Sequence, residues 1–225
     1  MGKQNHLGQN FRPLVLVFLM ALASLLDTRQ AEAQQSETLV VAGGCFWCVE
    51  SDFESVPGVI EAISGYTGGT TKNPTYKQIG KGGTGHYEAV QIQFDPTKIS
   101  RSNLLDLFFR SVDPTDPGGQ FCDRGESYRT AIFVSNTGEK ALAEAALNRA
   151  QQDLGQKIVT PILDAARFYR AEDYHQDYYK GNKLVFTRFG PKRQSSAYKR
   201  YRKACGRDAR VKALWGSSAP FANGH

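Results

Sequence analysis

The chain has no internal repeat, no low-complexity tract and no interdomain linker between Ser36 and about Gly190, which excludes repeat arrays and strings of modules. It also lacks an apolar run of the roughly 18 residues that a membrane-spanning helix needs. The stretch Leu14 to Leu26 falls short of that length, follows Lys3 and Arg12, and leads to Ala31-Glu32-Ala33. This is the pattern of a secretory leader, so residues 1–33 are expected to be removed. The mature chain is then exported, periplasmic or secreted, with no stable membrane anchor.

Cysteine is scarce: Cys45, Cys48, Cys122 and Cys205 are the whole supply. Only the first two form a close pair, and no His stands at ligand spacing from the others. A zinc site, which commonly takes two close pairs of soft ligands, is therefore not expected. A domain of about 190 residues buries an ordinary core without staples, which leaves thiols free for chemistry. The net charge of +6 is a mild excess, concentrated in Gly190 to Lys203. In an exported protein that segment reads as solvated surface rather than a polyanion site, so no nucleic-acid partner is expected.

Hydrophobic patterning gives alternating elements. Thr38 to Ala42 is a short β-rich run that ends in Gly43-Gly44, and Phe46, Val49 and Phe53 then recur at helical spacing. Gly58 to Gly69 is a strand entering a glycine-rich loop, and His86 to Phe94 alternates, with Glu88, Val90, Ile92 and Phe94 on one face. Ser100 or Ser102 caps a helix with a stripe of Leu104, Leu105, Phe108, Phe109 and Val112. Asp113 to Ser127 is irregular and long enough to suggest function. Tyr128 to Val134 is a strand, Thr137 to Leu154 a helix closed by Gly155, Lys157 to Leu163 a strand, and Ala171 to Gly181 a final helix. The order predicts an α/β (α+β) fold: a two-layer sandwich with a split β-α-β, ferredoxin-like core and a mixed sheet. Residues 34–190 form one domain, and 191–225 form an irregular basic tail packed on it.

The chemistry concentrates in Gly43 to Val49, "GGCFWCV". A strand, a tight turn and a helix put Cys45 at a helix N-terminus, where backbone N–H groups and the dipole favour a thiolate. Phe46 and Trp47 supply an apolar wall suited to a small group such as a methyl. A thiol–disulfide oxidoreductase is the alternative, because Cys-x-x-Cys opening a helix is also the exchange signature. Glu88 shares its strand face with apolar residues, so desolvation is expected to keep it protonated near neutrality.

The stretches "GCFWCVESDFE", "GVIEAISGYTGG", "NPTY", "GTGHYEAVQIQFDP", "DPTDPGGQFCDRGESYRTAIF" and "YHQDYY" together resemble the peptide methionine sulfoxide reductases of the A type, specific for the S epimer. The resemblance implies that Cys45 attacks the sulfoxide sulfur and becomes a sulfenic acid. It implies that Glu88, Tyr76 and Tyr128 serve the sulfoxide oxygen, that Asp123 supports it through water, and that Phe46 and Trp47 hold the methyl group. Many members lack a cysteine at the position of Cys48 and resolve the sulfenic acid with a tail cysteine. Here Cys48 is preferred as the resolving thiol, with Cys205 and Cys122 as alternatives. The resemblance further implies oxidised proteins as substrates, a thioredoxin-like reductant, and no metal or organic cofactor; a monomer is expected.

Overall fold

A computed structural model describes residues 36–188 and 190–222; the expected leader, residues 1–33, lies outside them. Three strands carry the centre: β1 (Glu37–Gly43), β2 (Val59–Thr67) and β3 (Tyr87–Phe94). Helix α1 (Phe46–Glu54) joins β1 to β2, a short α2 (Tyr76–Ile79) lies between β2 and β3, and α3 (Arg101–Ser111) follows β3. Two-residue strands β4 (Gly119–Gln120) and β5 (Asp123–Arg124) interrupt the long loop before β6 (Thr130–Val134) and α4 (Thr137–Leu154). Short strands β7 (Ile162–Asp164) and β8 (Tyr169–Arg170) complete a six-stranded sheet in the order β7-β6-β1-β3-β2-β8. Only β6 and β7 pair in parallel; the other neighbours are antiparallel. The central order β6-β1-β3-β2, with α1 and α3 as crossovers, is the expected split β-α-β arrangement in a mixed sheet.

Period-two patterning explains the layers. Leu39 and Val41, Val90, Ile92 and Phe94, and Ile132 and Val134 point to one face, where they meet Phe46, Val49 and Phe53, Leu104, Leu105, Phe108 and Phe109, and Ala143, Ala146 and Ala150. The intervening Ala42, Tyr87, Ala89, Ala131 and Phe133 form a smaller cluster on the other face. Local signals set several boundaries. The Ser100 side chain accepts from the Asn103 N–H to cap α3, Asn136 does the same for α4 through Glu139, and Gly155 ends α4 in the left-handed region.

Two expected elements differ. Ala171–Gly181 is not an α-helix: it is a run of turns ending in the 3₁₀ segment Tyr178–Lys180. Asp177 adopts φ 55°, which stops helical propagation, and its N–H goes to Glu50 at 2.6 Å instead of to the preceding turn. The strand expected at Lys157–Leu163 starts only at Ile162.

The basic tail, expected to be irregular, is instead largely helical: after the hairpin β9 (Leu184–Thr187) and β10 (Gly190–Arg193) it forms α5 (Gln194–Cys205) and α6 (Arg207–Trp215). The expectation of a solvated segment fails for Arg202, which is buried, and Arg207, just beyond that segment, is buried as well. Arg202 pairs with Asp52 of α1 at 2.6 Å and with Asp208 at 2.8 Å. Arg207 lies 3.7 Å from Asp52 and donates to the carbonyls of Gly43 at 3.1 Å and Ser111 at 3.0 Å. The tail thus reaches the backbone two residues before Cys45.

Candidate active site

Strand β1 delivers the chain to Gly44, whose φ of +82° turns it directly into α1. A Cβ at Gly44 would sit 2.6 Å from the Gln120 Cβ, so only glycine fits there. Cys45 becomes the N-cap residue of α1, although its side chain accepts no capping hydrogen bond. The N–H of Phe46 instead donates to Glu88 Oε2 at 3.1 Å. Helix start and strand β3 are therefore coupled through the Glu88 carboxyl.

The residues singled out in the sequence converge. Cys45, Phe46, Trp47, Tyr76, Glu88, Asp123 and Tyr128 line one cavity of about 80 Å³, together with Tyr201 from α5. Glu88 is buried, and burial is the main cause pushing its carboxyl up to about 8; the nearby Asp123 adds to the rise, while the Phe46 N–H and the Tyr128 hydroxyl oppose it. The side chain is therefore a proton donor at neutral pH. Tyr76 is pushed up to about 12, first by burial and then by Glu88, so it too stays protonated. Its position is fixed by Glu172, which accepts from the Tyr76 N–H and from the Tyr66 hydroxyl, each at 2.9 Å.

The cysteines depart from expectation in one respect. Burial pushes the Cys45 thiol well up, and its hydrogen bond with Cys48 and the neighbouring Glu88 push the same way. The helix terminus does not offset this, because its first N–H is spent on Glu88. Cys48 is lowered, first by the hydrogen bond with Cys45 and then by Arg207 and Arg202 against the opposing effect of burial. Of the pair, Cys48 is therefore the thiol that gives up its proton more readily. Both thiols are free and buried, whereas Cys122 and Cys205 are joined in a disulfide.

Sequence reasoning missed three contributors. His175 accepts from the Trp47 indole N–H at 3.1 Å through Nδ1 and packs against Phe46 and Tyr76. Burial lowers it to about 4, which keeps it neutral and able to accept. Tyr178 stacks on Trp47 with ring centroids 3.9 Å apart. Both lie in the "YHQDYY" stretch, whose density of aromatic and polar residues was the available signal. Tyr201 lay hidden in the basic run.

Comparison with known proteins agrees with this geometry. The family described as peptide methionine sulfoxide reductase matches residues 37–211. The chain belongs to that family. It is 47% identical over 206 residues to peptide methionine sulfoxide reductase MsrA 2 of Rhizobium meliloti, covering 92% of this chain and 96% of the relative. It is 48% identical over 207 residues to its counterpart in Caulobacter vibrioides, covering 91% and 99%. Among solved structures, methionine sulfoxide reductase A of Corynebacterium diphtheriae aligns with a TM-score of 0.63 at 31% identity, covering 69% of this chain and 79% of that one. This reductase is an oxidoreductase of the A type, and its mixed sheet with helices is the architecture of those neighbours.

Proposed function

We propose that this reductase converts methionine S-sulfoxide, in oxidised proteins and as the free amino acid, to methionine through Cys45. The observation that carries the reading is the placing of the Cys45 thiol and a protonated Glu88 in one small cavity walled by Phe46 and Trp47. An 80 Å³ space suits a sulfur with its oxygen and methyl group, and the aromatic wall suits the methyl. As Cys45 sulfur attacks the sulfoxide sulfur, its proton passes along the hydrogen bond to Cys48. Glu88 gives its proton to the oxygen, which gains basicity as the S–O bond weakens. Tyr76 and Tyr128 are suited to donate hydrogen bonds to the same oxygen. The oxygen leaves with Cys45 as a sulfenic acid, and methionine departs.

Cys48, now a thiol, then displaces water from that sulfenic acid and closes a Cys45–Cys48 disulfide. Its proximity to Cys45 supports this role, as does the engagement of Cys205 with Cys122. A thioredoxin-like dithiol protein returns the disulfide to two thiols. Because residues 1–33 read as a leader, we assign substrate and reductant to the exported compartment; mature enzyme recovered with Met1 intact would contradict that.

Resolved sulfoxides test the function. The S epimer is expected to yield one equivalent of methionine per chain without added reductant, the R epimer none, and an insulin-type disulfide no turnover. Reduction of the insulin disulfide alone would instead support the thiol–disulfide oxidoreductase.

A further inference from the structure

We propose that Tyr201 is a substrate-positioning residue of this site, and that the Cys122–Cys205 disulfide serves to hold it there. The proposal rests on the reductase reading above. Tyr201 lines the cavity from a different part of the chain than any residue of the opening motif. Its hydroxyl donates to Asp123 Oδ2, and its ring meets Trp47 edge-on at 6.2 Å and 80°. It thus touches both the carboxylate and the aromatic wall between which the substrate must fit. Burial raises the Tyr201 phenol above its ordinary value, and this keeps the hydroxyl a donor.

The disulfide is placed to secure that contact. Cys122 directly precedes Asp123 in the tight β4–β5 turn, and Cys205 lies one helical turn beyond Tyr201 on α5. The bond therefore ties the two chain positions next to the hydrogen-bonded pair, across a sequence separation of 83. Cys205 sulfur lies 3.8 Å from Asp123 Oδ2 and 4.0 Å from the Tyr201 oxygen. Gln120 and Arg124 anchor the base of the turn to Asp113 and Asp116, but its tip is short and open: β4 and β5 are two residues each, Phe121 adopts φ 54°, and Cys122 is exposed. Without the bond, keeping Asp123 against Tyr201 requires ordering this turn onto α5, an entropic cost that the cross-link removes.

The test is the dependence of the single-turnover rate on N-acetylmethionine sulfoxide concentration, with the disulfide state fixed by thiol counting before mixing. Four proteins are compared: wild type with the bond formed, wild type fully reduced, Tyr201→Phe, and Cys122→Ser/Cys205→Ser. We expect the half-saturating concentration to rise about tenfold in the last three, the worth of one hydrogen bond to a charged group. The maximal rate stays close to wild type. Opening the bond in the Tyr201→Phe background adds nothing further, as two parts of one device require. Reduced wild type supplies the result if the serine variant misfolds.

A half-saturating concentration within twofold of wild type in Tyr201→Phe, or additive effects, overturns the proposal. So does unchanged saturation combined with loss of turnover by a dithiol protein in the serine variant, which would make the second pair an electron relay. Absence of methionine from wild type overturns the reductase reading itself, and is distinguishable from these.

Discussion

Replacing Glu88 with glutamine is expected to slow single-turnover methionine formation by about 10²- to 10⁴-fold, the usual contribution of a positioned general acid. Glutamine keeps the size of the side chain and can still accept from the Phe46 N–H, so the helix start is preserved. What it cannot do is transfer a proton to the sulfoxide oxygen. The same proton sets the pH dependence. The Glu88 carboxyl is raised from its ordinary value of 4.5 to about 8, so the wild-type rate falls as pH rises through about 8. That alkaline limb should be missing in Glu88→Gln, and rapid-quench measurements between pH 6 and pH 10 would reveal it.

Linkage gives the same direction for stability. Folding favours the protonated form of Glu88, so its stabilising contribution is full below the unfolded value and is lost as pH climbs toward about 8. Glutamine carries no such dependence. The inactive variant should therefore gain thermal stability on the wild type over that interval.

Replacing Asp52 with alanine is expected to cost about 3–5 kcal/mol of folding stability, the usual penalty for breaking a buried ion pair by removing one partner. Asp52 is fully buried in α1 and faces two buried cations, Arg202 at 2.6 Å and Arg207 at 3.7 Å. Its loss leaves two positive charges in a dry interior. Denaturant unfolding measures the cost. The variant should also disturb Cys48, because Arg207 and Arg202 lower its thiol and Asp52 raises it. With Asp52 gone the cations lose one opposing charge, so the thiol reactivity of Cys48 should extend to lower pH in whatever fraction stays folded.

The parts of the site that were legible in the sequence are those whose signals are local. A β-rich run, two glycines and helical spacing placed Cys45 at a helix start, and strict alternation placed Glu88 with Val90, Ile92 and Phe94 on the inner face. Both depend on neighbours within a few residues. The disulfide does not: Cys122 and Cys205 are 83 residues apart, and nothing near either names its partner. Arg202 was read as surface because a basic run has no apolar period. Its burial is set by Asp52, 150 residues earlier. The lowered Cys45 pKa expected at a helix terminus failed for a similar reason, since Glu88 from another strand takes the first helical N–H. Similarly, the aromatic-rich Ala171–Gly181 stretch looked helical, but the buried Glu50 draws off the Asp177 N–H and turns the chain.

At the centre of this account is a self-contained redox pair, Cys45 as nucleophile and Cys48 as the thiol that resolves it. The most direct measurement is peptide mapping by mass spectrometry after one turnover on the S-sulfoxide, without reductant and with thiols blocked at quench. The account predicts one equivalent of methionine, a new Cys45–Cys48 disulfide, and the Cys122–Cys205 bond still in place. A Cys45–Cys205 or Cys45–Cys122 bond, or methionine released with both Cys45 and Cys48 recovered as blocked thiols, would contradict it.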